Sequence, residues 1–146
     1  MIKLNEKKQL NFEHVLIEHL SSSQLLSSNV QYVHWNYTGK DFIPVHHFLG
    51  DLYEKLIEFD DELAERMRAI QLIVDSRMST VIKLSRIHDI KPKDHHLRQL
   101  VDNMKILEKH GQDCIHIASH DDVLVDHFTD RLEHYGKAIW MLEHHC

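Results

Sequence analysis

The sequence predicts an all-α fold, a bundle of four long helices, and three features lead to it. Only 4 glycines and 2 prolines occur in 146 residues, too few turn-formers for the many tight turns of a β-sandwich. Apolar residues recur every three or four positions along four long stretches, the spacing that lines up one side of a helix. With 42% hydrophobic residues, a chain of this length buries one sizeable core and falls short of two ordinary ones. A single domain over residues 1–146 is therefore expected.

The first helix is expected from about Leu10 to Tyr37, with Phe12, Leu16, Leu20, Leu26, Val30 and Val33 on its apolar face. Gly39 stops it, as a glycine just past a helix end commonly does. The second starts near Phe42 with Pro44 in its first turn, where a missing N–H breaks no helical bond. Its stripe is Val45, Leu49, Leu52, Leu56, Phe59, Leu63, Met67 and Ile70. The third spans roughly Asp94 to Ser119, turning Leu97, Leu100, Val101, Met104, Leu107, Cys114 and Ile115 inward. The fourth carries Leu124, Phe128, Leu132, Tyr135, Ile139 and Leu142, and Asp121 is placed to cap its start. The first link is short, so the helices it joins pack antiparallel. The link from second to third, "LIVDSRMSTVIKLSRIHDIKPKD", is long and has room for a short helix near Ser79 to Leu84. Two hairpins joined by a long crossover describe a ferritin-like bundle better than a simple up-down one.

Charge and composition exclude several classes. Seventeen Lys and Arg against 23 Asp and Glu give a formal charge of −6 with histidines neutral, which argues against a dedicated phosphate-backbone binder. The 15 histidines are metal ligands, or a surface that gains positive charge below about pH 6.5; for most of them plain solvation is expected. No apolar run approaches the ~20 residues of a membrane span. The start, "MIKLNEKKQLNFE", lacks the apolar stretch of a signal peptide. Cys114 within a helical pattern and Cys146 at the end of the sequence make no disulfide framework. A reduced, cytoplasmic protein with no membrane partner is the expectation.

Candidate metal ligands lie in the first hairpin. On the helical wheel of the second helix, His46, position 50, Asp61 and Glu65 form a stripe beside the core stripe. Asp61 and Glu65 are one turn apart and can hold one ion between them. His34 lies five residues before Gly39 and His46 seven after it, so an antiparallel hairpin brings the two imidazoles together. From His46 to Asp61 is fifteen residues, or about 22 Å along a helix, whereas metal–ligand bonds are about 2 Å long. One chain cannot close such a site. A second copy, antiparallel across a twofold, would set His34 and His46 of one chain against Asp61 and Glu65 of the other. Taken alone, the two carboxylates read more often as solvated surface than as ligands. The usual di-iron bundle signature, a Glu three residues before a His on the same helix, is absent; only Asp113 with His116 comes near it.

These residues resemble the Dps family of mini-ferritins, DNA-binding proteins from starved cells. The signature is His34-Trp35, Gly39, Phe42, His46, Tyr53, Asp61 and "AER" at Ala64 to Arg66. To these are added "VDSRMSTV" (Val74 to Val81), "DDVLVD" (Asp121 to Asp126) and "AIWML" (Ala138 to Leu142), so the likeness spans most of the chain. The resemblance implies a ferritin-like bundle with a short extra helix, assembled as a homo-oligomer, a hollow dodecamer. It implies iron (Fe) at sites shared between subunits, with His34, His46, Asp61 and Glu65 as both metal ligands and catalytic groups. The activity implied is that of a ferroxidase, an oxidoreductase that oxidises ferrous iron, preferably with hydrogen peroxide, and stores ferric mineral. Imidazoles and carboxylates suit both iron oxidation states. Asp122 and Asp126 match the acids of the family's threefold pores, and Asp130 extends their ladder. Acids near a helix start also complement its dipole. Trp35, beside His34, is either a radical interceptor or an ordinary packed aromatic.

One position departs from the family pattern. Where the family usually has an Asp four residues after the second histidine, this chain has Gly50. Asp51, the tentative substitute, is turned about 100° away on a regular helix. A two-iron site whose second position is weak is therefore expected, with slower oxidation. DNA binding is expected to be weak or absent at neutral pH, because the start of the chain carries only Lys3, Lys7 and Lys8, and nucleoid association depends on it. The rival reading is a Dps-like cage with a weakened or lost ferroxidase centre, acting in DNA protection or as a structural metal-binding shell.

Overall fold

The computed structural model describes residues 4–93 and 95–145. Its helices are α1 (Glu6–Asn36), α2 (Phe42–Ala69), α3 (Met78–Leu84), α4 (His96–Ile117) and α5 (Asp122–His145), and the described residues contain no strand. Lys3, Asp94 and Cys146 lie outside the described residues.

Local chemistry fixes the helix ends. α1 begins before the expected Leu10, because the Asn5 side chain accepts the Lys8 N–H at 2.9 Å and caps the first turn. Asp121 caps α5 as the sequence predicts, its Oδ1 accepting the Val123 and Leu124 N–H groups, each at 3.1 Å. The end of α2 was hidden from the sequence because it uses no glycine. Gln71 takes φ +69°; its N–H donates to the Arg68 carbonyl at 3.0 Å and that of Leu72 to Met67 at 2.9 Å, the paired bonds of a Schellman stop.

α1 packs against α2, α4 and α3, and α5 against α2 and α4. The core forms two apolar clusters. One holds Val30, Val33, Val45, Leu49, Ile90, Leu97 and Leu100; the other holds Phe12, Leu16, Leu63, Met67, Leu72, Leu124 and Phe128. The crossover leaves α2 in the second cluster and reaches α4 in the first, so it travels along the bundle. Polar groups of α1 hold it there. The Ser22 hydroxyl accepts the Arg86 N–H at 2.9 Å, and the Asn29 side chain bonds both His88 O (2.9 Å) and Ile90 N (3.3 Å). Both belong to the serine-rich "SSSQLLSSN" of α1, which is largely buried. Four expected core positions differ: Leu52, Ile70, Ile115 and Leu132 are only partly buried, and the fully buried side chain beside Leu132 is Arg131.

Candidate metal centre

The α1–α2 turn sets the first half of the site. Tyr37 ends α1 with extended backbone, Gly39 adopts φ +142°, and the Tyr37 hydroxyl donates to the Asp41 carboxylate at 3.0 Å. That φ is what requires glycine, and a Cβ there would also crowd Asp41 Oδ1 at 3.0 Å. The hairpin stacks His34 on His46, with ring centroids 3.8 Å apart and planes 12° from parallel. Each ring bonds the other residue's backbone: His34 Nδ1–H donates to His46 O at 2.7 Å, and His46 Nδ1–H to His34 O at 2.9 Å. A carbonyl can only accept, so both Nδ1 atoms carry the proton and both Nε2 atoms present lone pairs. This is the tautomer and the anchoring that a metal-binding imidazole needs. Neither Nε2 has a hydrogen-bond partner among the described residues.

Gly50 acquires a reason here. A Cβ on it would lie 3.2 Å from His34 Cε1, so the absent side chain makes room for the ring. Tyr53 meets the same ring edge-on at 5.4 Å, and Phe42 stacks on His46 at 5.0 Å. Asp51 is exposed and lines a groove of about 280 Å³ with Lys55, His134, Lys137 and Met141. That groove faces α5, so the structure does not bring Asp51 to the histidine pair.

The second half lies farther along α2. The tandem acids Asp60 and Asp61 part company: Asp60 is buried on Arg131, with Oδ1 accepting from Nη2 at 2.9 Å, while Asp61 is exposed. Glu65 is exposed as well, and neither Asp61 nor Glu65 has a partner within the chain among the described residues. These carboxylates do not join His34 and His46 within one chain; the only group of three or more ligand-type side chains close enough to share an ion, among the described residues, lies elsewhere. Asp122, Asp126 and Asp130 are all exposed, on the side of α5 opposite the buried Leu124, Phe128 and Tyr135. Trp35 is 68% exposed, so it is not a packed aromatic of this chain's core. Asp113 and His116 face solvent and cannot build a centre inside the bundle.

The ferritin-like domain model matches residues 13–146. The DNA protection during starvation protein of Helicobacter pylori is 31% identical over 137 residues, covering 89% of this chain and 95% of that protein. The chain belongs to the Dps family. The fold agrees. A crystal structure of an antigen from Treponema pallidum superposes with TM-score 0.87 at 25% identity, covering 94% of this chain and 92% of that one. The Dps protein of Vibrio cholerae, described as a member of a broad superfamily of ferritin-like diiron-carboxylate proteins, gives TM-score 0.87 at 25% identity and covers 98% and 93%. No helix among the described residues is long and apolar enough to cross a membrane.

In this Dps chain the middle of the bundle holds a polar layer that apolar periodicity did not reveal. Arg131, 0% exposed, donates from Nη2 to Asp60, from Nη1 to Ser23 (2.9 Å) and Tyr135 (3.1 Å), and from Nε to His127 (2.9 Å). Tyr135 meets His19 at 3.0 Å, and His19 meets His110 at 3.1 Å. Burial, then the Arg131 charge, pushes His127 down to about 3 and His19 well below the usual histidine range. Asp60 is already bound to Arg131, and among the described residues the interior brings no carboxylates together that could hold a di-iron centre. The available signal was Arg131 itself, between Phe128 and Tyr135 on the core side of α5: a charge there demands a buried partner.

Proposed function

We propose that this Dps chain is an iron-binding mini-ferritin, a ferroxidase whose sites are completed across a twofold between two copies. His34 and His46 of one chain would bind ferrous iron with Asp61 and Glu65 of the other. Hydrogen peroxide would serve as oxidant, and ferric mineral would collect inside a shell of twelve. The observation that carries the reading is the cross-bonded histidine pair, whose Nε2 lone pairs are presented at the surface of one chain. Supporting it, Asp61 and Glu65 share the exposed side of α2 with Ile57, which is 50% exposed. Trp35, Ile43, Ile73, Met78 and Ile82 are exposed apolar residues too. A second copy would cover such a surface.

Oxidation divides among these groups simply. The imidazoles and carboxylates hold substrate iron while leaving coordination positions for peroxide, and the negative carboxylates favour the ferric product. Each peroxide accepts two electrons, one from each of two ferrous ions, so both iron positions at a site contribute. Asp122 and Asp126, with Asp130 behind them, would concentrate ferrous ions at threefold pores by electrostatic focusing. A shell of chains at −6 each should bind duplex DNA weakly at neutral pH; tight binding at pH 8 and moderate salt in a gel shift would overturn that part. Residence in the cytoplasm follows from this role.

Mixing two inactive chains tests the shared site. His34→Ala and Glu65→Ala should each abolish peroxide-dependent iron oxidation. In shells formed from equal amounts of both, half the twofold pairs are mixed, and each mixed pair rebuilds one intact site of two. About one quarter of the parental sites should return. A site confined to one chain gives no recovery, and activity in Glu65→Ala alone favours the structural-shell reading.

A further inference from the structure

We propose that His19, His110 and Cys114 form a buried site for a soft, thiophilic metal ion, with cuprous copper as its best match. The cluster occupies the seam between the two apolar core clusters, away from the His34–His46 pair and from Asp61 and Glu65. It does not depend on the iron chemistry proposed above.

The geometry comes first. His19 Nδ1 and His110 Nδ1 are 3.1 Å apart, His110 Nδ1 and Cys114 Sγ are 3.7 Å apart, and all three ligand atoms lie within 4.8 Å of one another. An ion about 2.05 Å from nitrogen and 2.3 Å from sulfur, held by three ligands in a plane, needs N···N and N···S edges of about 3.6 and 3.8 Å. The His110–Cys114 edge already matches, the two rings must part by about 0.5 Å, and the His19–Cys114 edge is within 4.8 Å.

An ion would occupy the place where two ring nitrogens face each other. Two imidazoles meeting through Nδ1 need one proton between them, and His110 Nε2 is buried with no partner with or without an ion. With an ion, both Nδ1 lone pairs turn to the metal and each ring carries its proton on Nε2. In His19 that N–H meets the Tyr135 hydroxyl at 3.0 Å, a partner that orients a ligating imidazole.

Charge and ligand number select the ion. His19 and Cys114 are 0% exposed and His110 3%, and burial holds the Cys114 thiol far above its ordinary value. The thiol therefore keeps its proton until an ion displaces it: the S–H bond breaks, an S–metal bond forms, and one proton leaves. A monovalent ion with the thiolate is neutral, and the nearby Arg131 is already matched by Asp60. A divalent ion would leave a net positive charge buried near that arginine, which is costly. Structural zinc sites supply four ligands, and this cluster supplies three. Thiolate and imidazole favour cuprous copper on softness as well.

The test uses the full chain with Cys146→Ser, so that Cys114 is the only thiol. Cuprous ion is supplied as its complex with a colorimetric chelator, both to assembled protein and to chain refolded in its presence. Bound copper is counted and its X-ray absorption recorded. The expected result is one tightly held copper per chain with sulfur and imidazole ligands. Cys114→Ser and His19→Gln should each lower the count by one, with the fold checked by circular dichroism. Equal copper in the parent and Cys114→Ser by both routes would overturn the site. Should Cys114→Ser fail to fold, the parent alone decides: no copper–thiolate signature means no site.

Discussion

Adding a side chain at Gly50 separates two roles that this position can play. In a helix interior, Gly→Ala gains about 1 kcal/mol from propensity. Here the new Cβ would sit 3.2 Å from His34 Cε1, and that ring is held by its 2.7 Å bond to His46 O. The ring must yield by a few tenths of an ångström, a mild overpacking that costs on the order of 1 kcal/mol. The two terms nearly cancel, so Gly50→Ala should leave stability within about 1 kcal/mol of the parent while displacing His34. Gly50→Asp brings the same Cβ together with a carboxylate on the face of the histidine pair, four residues after His46. The comparison that isolates the carboxylate is therefore Asp against Ala. Peroxide-dependent oxidation of ferrous iron, followed by absorbance after rapid mixing, should be about tenfold faster in Gly50→Asp than in Gly50→Ala, the scale on which changes around a metal act. Iron titration should show a tighter second position in the Asp variant. Equal rates in the two variants would refute the reasoning, for the missing carboxylate would then play no part. A Gly50→Ala variant with unchanged rate would show that the tight approach of His34 to the helix is not needed.

Three further outcomes are expected. Arg131→Met leaves Asp60 buried without its cation and should destabilise the chain by about 3–5 kcal/mol; in urea unfolding, Arg131→Met with Asp60→Leu should recover most of that loss, and no loss in the single variant would sink the buried-pair account. Acid should destabilise the fold: His127 is pushed down to about 3 by burial and then Arg131, and His19 and His110 are lowered in the same direction, chiefly by burial. An unfolded chain binds these protons below about pH 6.5 and the folded chain does not, so the stability is full above pH 6.5 and is lost as pH falls toward 3, by up to a few kcal/mol per chain; a urea midpoint that stays flat from pH 7.5 to 4.5 would contradict this. Asp122→Asn with Asp126→Asn should slow iron uptake several-fold while sedimentation shows an intact shell, and unchanged uptake would remove the pore role.

The sequence by itself determined the helices and most of their inward faces. Helix periodicity is a local property, so Leu49, Leu56, Leu63 and Met67 could be placed on one side of α2 without knowing what they touch. The short turn at Gly39 likewise made the meeting of His34 and His46 legible, since a hairpin pairs residues at similar distances from its turn. Tertiary structure decided what depends on contact between distant segments. Asp60 and Asp61 are neighbours in sequence with the same side chain, and only Arg131, 71 residues from Asp60, makes one a buried partner and leaves the other exposed. Gly50 reads in the sequence as a missing ligand; that it also leaves space for the His34 ring depends on the approach of another helix. Ser22 and Asn29 of α1 are buried polar residues whose partners on the crossover lie far along the chain. His19, His110 and Cys114 come together because hydrogen-bonding and ligand geometry need atoms within about 4 Å, and 91 residues of chain separate His19 from His110. No local pattern carries that distance; packing sets it.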